Sequence, residues 1–177
     1  ACGPVGGKSR FRVKGQEYTV GELLNRSPRT SRYADGHYFV LYLSPRDYHR
    51  IHAPVSGTIE ERERIPGRVY PVNEFGLKFA RRVLSRNERL VTYIRHEFGE
   101  VAVVKVGALN VGGIRYAEGL GDRVERGEEL AMFEFGSTVV LLTENGTFRP
   151  RGDLSPGQAV RMGEALGRIV PKHGEDR

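Results

Sequence analysis

The sequence LVTYIRHEFGEVAVVKV, residues 90–106, decides the fold class of this chain. Residues 90–95 and 100–106 are rich in β-branched and aromatic side chains, and the segment EFG at 97–99 separates them. This pattern is typical of two strands joined by a tight turn. We therefore predict a β-hairpin in this part of the chain.

Further strand-like runs lie on both sides of this hairpin, whereas helical patterns are scarce. Glycine accounts for 23 of the 177 residues, well above its usual share of roughly 7%, which is typical of a protein with many turns. We predict strands at 10–20, 38–43, 57–60, 68–72, 110–116, 129–134 and 137–143, and short helices at 20–25 and 74–84. The expected fold is mainly β, a compact β-sandwich or barrel-like single domain over residues 1–177 with few short helices.

An internal repeat lies in the C-terminal part of the chain. GDRVERGEEL at 121–130 matches PGQAVRMGEAL at 156–166 with a spacing of 36 residues. The shared pattern G-x-x-V-x-x-G-x-x-L places glycines at turns and apolar side chains inward on short strands. Carrier domains of the biotinyl and lipoyl type use the same pattern, so we predict lipoyl/biotinyl-like strand repeats. The modifiable lysine of such a carrier is missing between Leu130 and Val139.

Composition restricts the classes of function. The formal net charge of +6 is compatible with nucleic acid, anionic lipid or acidic substrates, but the chain has no tryptophan and no nucleic-acid-binding motif. A single cysteine, Cys2, excludes an internal disulfide and CxxC zinc sites. No apolar run is long enough for a transmembrane helix, and the first ten residues lack the apolar region of a signal peptide.

Two stretches concentrate reactive side chains. LSPRDYHRIHAPVSG at 43–57 contains His49 and His52 directly after a predicted buried strand. FEFGSTVVLL at 133–142 places Ser137 at the opening of another predicted strand. These stretches are the candidates for a reactive site.

The bond between Gly136 and Ser137 can rearrange without a second reactant. The serine hydroxyl attacks the glycine carbonyl to give an ester, and β-elimination then cuts the chain and leaves a residue that hydrolyses to a pyruvoyl group. Glycine does not obstruct the attack. A base is required because a serine hydroxyl is a weak nucleophile unaided, and histidine is the usual base near neutral pH.

Other interpretations of the same residues stay open at this point. His49 and His52, spaced i and i+3, could form half of a metal site, although no third cysteine or histidine ligand is evident and we predict no metal. Asp47 could cap the local turn through its carboxylate, and Ser137 could be an ordinary strand residue. A non-enzymatic β carrier or lipid-binding domain is the alternative function.

Six segments of the chain together resemble the phosphatidylserine decarboxylases, the pyruvoyl-dependent enzymes of phospholipid synthesis. The segments are KGQEYTVGELL at 14–24, LSPRDYHRIHAPVSG at 43–57, NERL at 87–90, FGEVAVVKVGA at 98–108, ALNVGGI at 108–114 and FGST at 135–138. The histidine segment and the GST element, with NVGGI between them, are highly specific in combination.

The resemblance implies a role for each candidate residue. Ser137 matches the self-cleavage nucleophile that becomes the pyruvoyl cofactor, and cleavage would give a β chain of 1–136 and an α chain of 137–177. His52 matches the base for cleavage, and His49 matches the histidine linked to decarboxylation, as a proton donor. Phosphatidylserine would bind the pyruvoyl group as a Schiff base and leave as phosphatidylethanolamine.

The resemblance also implies an Ala-Asp-Gly element, and this sequence does not have that element at the position where the family has it. The family completes its cleavage triad with an aspartate in an Ala-Asp-Gly element, which would lie before residue 1. The Ala-Asp-Gly at 34–36 follows the KGQEYTV segment, so Asp35 is not assigned to the triad. Expected partners are a second copy of the chain and the anionic membrane surface on the cytoplasmic face, bound peripherally. The basic stretch 78–89 could lie on that surface with Phe79, Val83 and Leu84 at the headgroup boundary, or it could be an ordinary solvated helix face.

Overall fold

A computed structural model of the protein describes residues 1–71, 81–108, 113–134 and 137–172. The strands in these ranges are β1 (Cys2–Pro4), β2 (Arg10–Val13), β3 (Gln16–Thr19), β4 (His37–Leu43), β5 (Arg50–His52), β6 (Gly57–Ile65), β7 (Arg89–His96), β8 (Gly99–Val106), β9 (Ile114–Tyr116), β10 (Arg123–Val124), β11 (Glu129–Phe133), β12 (Ser137–Thr143), β13 (Phe148–Pro150) and β14 (Gly167–Ile169). The helices are α1 (Val20–Leu23), α2 (Val83–Arg86) and two 3₁₀ turns, Gly7–Ser9 and Pro28–Tyr33. A mainly β domain with few short helices is confirmed.

The predicted hairpin is the centre of the largest sheet. Strands β7 and β8 pair antiparallel from Arg89 opposite Val106 to His96 opposite Gly99. The sheet has seven strands in the order β1-β4-β12-β8-β7-β6-β10, and all of these neighbours pair antiparallel. A separate three-stranded sheet has the order β5-β11-β9, and two hairpins are formed by β2 with β3 and by β13 with β14.

Both faces of the large sheet are covered, which explains why the side chains of its central strands are mostly apolar. Val104 and Val140 point to a core that includes the β2–β3 hairpin and α1. Val103 and Val139 point to a second core that includes apolar residues of the three-stranded sheet. Because successive side chains of a strand face opposite sides, a strand buried on both sides has apolar residues at every position.

The short helix α1 begins at a capping box. The Thr19 hydroxyl accepts a hydrogen bond from the Glu22 amide at 3.1 Å, and the Glu22 carboxylate accepts one from the Thr19 amide at 3.3 Å. These bonds satisfy amide groups that have no partner inside the helix. The helix predicted at 20–25 therefore exists, with a shorter extent.

Several other predicted elements differ from the structure. The run at 10–20 is two strands, β2 and β3, because residues 14–15 form a turn. The strand predicted at 68–72 is wrong for residues 68–71, where Arg68 makes only an isolated bridge with Asn87. Of the helix predicted at 74–84, residues 74–80 lie outside the described ranges, as do 110–112 of the strand predicted at 110–116.

The two copies of the sequence repeat form the same hydrogen-bonded turn. Gly127 and Gly163 occupy equivalent positions with φ of 90° and 84°, a conformation that strongly favours glycine. The turn containing Gly127 leads into β11, and the turn containing Gly163 precedes β14. The lipoyl/biotinyl-like character of the whole repeat stays a prediction.

Candidate active site

Ser137 is the first residue of β12, opposite Leu43 at the end of β4. Its side chain is fully buried, and its hydroxyl donates a hydrogen bond to the backbone carbonyl of Val106 in β8. The β-branched and leucine residues that follow it place the serine in a central strand between β4 and β8. The preceding Gly136 lies outside the described residues.

The carbonyl that holds Ser137 belongs to a strand end that is fixed by Asn87. The Asn87 side-chain amide donates to the carbonyl of Gly107 at 2.7 Å, and the Gly107 amide donates to the carbonyl of Glu88 at 2.8 Å. Asn87 is itself fully buried, so its hydrogen bonds are not shared with solvent. The NERL segment therefore fixes the backbone beside the serine, a role that sequence analysis did not assign.

Two chain crossings between the sheets bring the histidine segment close to the strand that leads into Ser137. After Leu43 the chain leaves the large sheet and enters the three-stranded sheet at β5. Next to the paired residues of β5 and β11, the Phe133 amide donates a hydrogen bond to the His49 carbonyl at 3.1 Å. Only three residues separate Phe133 from Ser137, a reach of roughly 14 Å at full extension. His49 therefore lies at the serine end of the three-stranded sheet.

The His49 side chain has a ring nitrogen available for chemistry. Its Nε2 atom is buried and has no hydrogen-bond partner among the described residues. The turn before it is closed by Asp47, whose carboxylate accepts from the Ser44 amide at 2.7 Å, as the capping interpretation predicts. A buried imidazole nitrogen without a partner is unusual in folded proteins and is a candidate for proton transfer.

His52 lies further from the serine end and has both ring nitrogens engaged. In the ladder it pairs with Glu129, the first residue of β11. Its Nδ1 is 2.6 Å from the Gly127 carbonyl oxygen, and its Nε2 is 2.6 Å from the Tyr48 hydroxyl. Because a carbonyl only accepts, the hydrogen-bond network assigns the ring proton to Nδ1 and the lone pair to Nε2. Neither nitrogen is bonded to Ser137.

A buried lysine lies on the same face of the sheet as Ser137, and sequence analysis missed it. Lys105 in β8 is opposite Val139, and Ser137 is two residues before Val139. The ammonium group donates to the Thr92 hydroxyl at 2.6 Å and lies 5.2 Å from the centre of the Tyr116 ring. Burial lowers the pKa of Lys105 from 10.5 to about 7. The sequence signal was a single charged residue inside the apolar strand VAVVKV.

Other predicted residues lie away from the serine. Asp35 precedes the end of β4 that pairs with Thr143, whereas Ser137 pairs with the other end of β4. This position agrees with the prediction that Asp35 is not part of a cleavage triad. Val83 and Leu84 are fully buried in the core. Their predicted insertion at a membrane headgroup boundary is therefore wrong, because neither side chain reaches the surface. Phe79, the third residue of that prediction, lies outside the described residues.

Two negative findings concern the described residues. Within them, no group of three or more histidine, cysteine, aspartate or glutamate side chains is arranged to hold a metal ion. Nor does any helix in those ranges combine the length and apolar character needed to span a bilayer.

The fold and site define a mainly β domain with a buried serine at the start of a central strand and a histidine segment nearby. Comparison with known proteins is more specific. The family described as phosphatidylserine decarboxylase matches residues 1–168. The chain belongs to the phosphatidylserine decarboxylase family.

Curated relatives bear the name of a proenzyme. The phosphatidylserine decarboxylase proenzyme of Geobacillus kaustophilus (strain HTA426) is 43% identical over 161 residues, 91% of this chain and 61% of that protein. The proenzyme of the same name from Bacillus thuringiensis (strain Al Hakam) is 42% identical over 164 residues, 93% of this chain and 62% of that protein. The chain thus spans about three fifths of the length of these relatives.

Proposed function

We propose that this chain is the core of a phosphatidylserine decarboxylase that generates its own prosthetic group by cutting between Gly136 and Ser137. Residues 1–136 would form the β chain and residues 137–177 the α chain of one domain. The observation that carries this proposal is the buried Ser137 at the first position of a central strand, in a family whose named relatives are proenzymes.

The cleavage step uses groups of the chain alone. The Ser137 hydroxyl attacks the carbonyl of Gly136, the C–N bond of the peptide breaks, and an ester forms. β-Elimination then removes the Cα proton of Ser137 and breaks its Cβ–O bond, which leaves Gly136 with a C-terminal carboxylate and turns Ser137 into dehydroalanine. Dehydroalanine tautomerises to an imine, and one water molecule hydrolyses the imine to the pyruvoyl group and ammonia. We assign the base to His52, because its segment RIHAP matches that of the family's cleavage histidine. Its Nε2 is the nitrogen that would take up the proton, in place of the bond it now makes with the Tyr48 hydroxyl.

A pyruvoyl group at position 137 would supply a ketone able to take the amine of phosphatidylserine and to act as the electron sink for decarboxylation. His49 is assigned the return of the proton, because its buried Nε2 has no partner among the described residues. The surrounding core excludes water from the serine, which strengthens electrostatic interactions there.

We infer that the lipid substrate is reached at a membrane surface. The formal net charge of +6 favours anionic lipid on the cytoplasmic face, and association would be peripheral. Tyr42 and Tyr48 expose 44% and 51% of their surface, and the exposed Arg46 and Arg50 lie beside them in the chain. Aromatic and basic side chains of this kind suit the headgroup region. A homodimer is part of the same proposal.

The intact mass of the purified chain under denaturing conditions tests the proposed cleavage. We expect two fragments of 136 and 41 residues, with the smaller one lighter than its sequence by one ammonia. Decarboxylation of phosphatidylserine in vesicles would then be measured on the cleaved protein. A chain that stays intact even when it is extended by the family's upstream Ala-Asp-Gly segment would contradict the proposal and favour a lipid-binding β domain instead.

A further inference from the structure

The turn that follows β4 is closed by two hydrogen bonds and presents an arginine to solvent. The Asp47 amide donates to the Ser44 carbonyl at 2.9 Å, and the Asp47 carboxylate accepts from the Ser44 amide at 2.7 Å. Pro45 and Arg46 are the two central residues of this turn, and the proline ring fixes the backbone at the first of them. Arg46 is exposed, so a rigid piece of backbone carries a solvent-facing guanidinium group.

This turn lies next to the end of β12 that begins with Ser137. Leu43, the last residue of β4, is paired with Ser137, and the turn starts at the following residue, Ser44. Arg46 is two residues further along, so its Cα is within about 8 Å of the Cα of Ser44. The proposed reaction centre and this guanidinium group therefore belong to neighbouring parts of the molecule.

Arg46 differs from the other arginines around the three-stranded sheet in having no carboxylate partner. Three arginines on or against that sheet are each paired with a glutamate: Arg50 with Glu129 at 3.4 Å, Arg115 with Glu134 at 3.4 Å, and Arg64 with Glu88. Among the described residues no acidic group contacts Arg46, and the adjacent Asp47 carboxylate bonds the Ser44 amide instead. The turn thus presents a positive charge that the described fold does not balance.

Phosphatidylserine offers two anionic groups to such a cation, a carboxylate and a phosphodiester. An arginine on the carboxylate would stabilise the charge that decarboxylation removes, and so would oppose the reaction. The phosphodiester keeps its charge throughout, and only the serine Cα, Cβ and one oxygen separate it from the reacting amine. The planar guanidinium group also matches phosphate oxygens with two parallel hydrogen bonds. The chemistry therefore favours the phosphodiester.

We propose that Arg46 binds the phosphodiester group of phosphatidylserine and so holds the lipid headgroup beside position 137. This inference rests on the proposed function in that it takes phosphatidylserine as the substrate and Ser137 as the reaction centre. Because the phosphodiester is unchanged by the reaction, Arg46 binds substrate and transition state equally. Such an interaction lowers KM and leaves kcat unchanged.

Steady-state kinetics with dihexanoyl phosphatidylserine below its critical micelle concentration test this role without a membrane. The protein is the cleaved enzyme, extended upstream where cleavage requires it. We expect Arg46→Gln to raise KM by about five-fold to ten-fold with kcat within about two-fold of wild type. Arg46→Lys keeps the charge but loses the paired hydrogen bonds, so its KM should lie between the two.

Arg168→Gln is the matched control, because Arg168 in β14 is also exposed and has no acidic partner among the described residues. It removes the same charge and should leave KM within about two-fold of wild type. A fall in kcat for Arg46→Gln at unchanged KM would overturn the proposal. So would a loss that occurs only with vesicles, because it would assign Arg46 to attraction by the anionic surface.

Binding to the uncleavable Ser137→Ala chain gives a measurement that is independent of catalysis. Dihexanoyl phosphatidylserine and dihexanoyl phosphatidylethanolamine are titrated while ¹⁵N NMR follows the arginine Nε resonances, with Arg46 assigned from the Arg46→Gln spectrum. We expect both lipids to shift the Arg46 resonance, and Arg46→Gln to raise both Kd values by the same factor of about five to ten, since both lipids contain the phosphodiester.

The two lipids differ in the carboxylate, so they separate the two possible ligands of Arg46. A higher Kd for phosphatidylserine alone would assign Arg46 to the carboxylate and overturn the proposal, as would the absence of a shift with either lipid. If the wild-type chain never cleaves but both lipids bind through Arg46, the proposed function fails while the phosphodiester site stands.

Discussion

The two ends of the central strands β8 and β12 bury polar groups in opposite ways. At the end where β8 begins, Glu100 is fully buried and each of its oxygens has a partner. The Tyr33 hydroxyl donates to one oxygen at 2.6 Å, and the Arg29 guanidinium bonds the other. Arg95 adds a further cationic contact at 3.7 Å. This end is an ion-pair network between the sheet and the 3₁₀ turn Pro28–Tyr33.

The other end buries polar groups without opposite charges. Lys105 is fully buried, and its ammonium group donates hydrogen bonds to two neutral groups, the Thr92 hydroxyl and the Val103 carbonyl. His49 Nε2 has no partner among the described residues, and the Ser137 hydroxyl bonds only a backbone carbonyl. Since unpaired buried charge lowers stability, the burial of Lys105 costs stability at this end. The paired end stabilises the strands that carry Ser137.

Removal of the Ser137 hydroxyl is expected to have the largest effect. Ser137→Ala abolishes self-cleavage, because alanine has no nucleophile, and the protein should migrate as one chain of 177 residues. The free energy of unfolding should change by about 1 kcal/mol at most, since the lost bond joins a hydroxyl to a neutral carbonyl. Mass spectrometry and urea unfolding measure the two effects. A cleaved Ser137→Ala chain would contradict the assignment of the site.

Neutralising Glu100 should give the largest loss of stability. Glu100→Gln keeps the shape of the side chain but removes the charge that Arg29 and Tyr33 face. We expect the free energy of unfolding to fall by about 2–4 kcal/mol, because breaking a buried pair leaves the partner uncompensated, while Arg29 keeps its contacts with Glu60 and Glu61. Urea unfolding of the uncleavable Ser137→Ala background gives the value. A change below about 0.5 kcal/mol would show that the buried Glu100 contributes no more to stability than an exposed ion pair does.

Lys105→Met should raise the free energy of unfolding, whereas Glu100→Gln lowers it, and the size of the rise should depend on pH. The pKa of Lys105 is 10.5 in its ordinary state and about 7 in the fold, because burial disfavours the charged form. The unfolded chain therefore binds the proton more strongly, so the loss of stability is full below about pH 7 and disappears as the pH rises towards 10.5.

The methionine variant removes that loss while it keeps an apolar side chain of similar length. We expect a gain of about 1–3 kcal/mol near pH 6, and a smaller difference from wild type near pH 10. The gain corresponds to a rise in Tm of roughly 3–10 °C for a chain of this size. Thermal unfolding at both pH values measures it. If Tm of the variant and of wild type differed by the same amount at both pH values, the buried ammonium group would not be the cause of the gain in stability.

The sequence predicted the central β structure well because the hairpin of β7 and β8 has long apolar runs and a clear turn. Its largest error in the described residues was the strand at 68–71. There the backbone is held by the Asn87 side chain, whose oxygen accepts from the Tyr70 amide at 3.1 Å, rather than by a ladder. A contact between residues 17 positions apart leaves no periodic signal in the local sequence.

The candidate site was predicted in its residue types but not in its arrangement. Ser137, His49 and His52 were identified from their segments, yet sequence spacing alone did not show that His49 is closer to the serine end than His52. That order depends on the register of β5 with β11, which pairs His52 with Glu129. The contact of Lys105 could not be predicted either, because its hydrogen-bond partner Thr92 lies 13 residues away on the neighbouring strand.

An exposed ion pair gives the smallest expected effect and sets the scale for the buried end. Arg10 and Glu17 face each other across the β2–β3 hairpin at 2.7 Å, with side chains 48% and 40% exposed. Glu17→Gln should lower the free energy of unfolding by about 0.5 kcal/mol or less, because water and salt screen the pair and ordering both side chains opposes it. Adding about 0.5 M salt should reduce even that difference, because salt screens exposed charges, and urea unfolding at low and high salt measures it. Since Glu17→Gln and Glu100→Gln are the same chemical change, the ratio of their effects measures what burial adds at Glu100. If the two effects were equal, the distinction between the ion-paired end of the sheet and the end that carries Ser137 would lose its energetic basis.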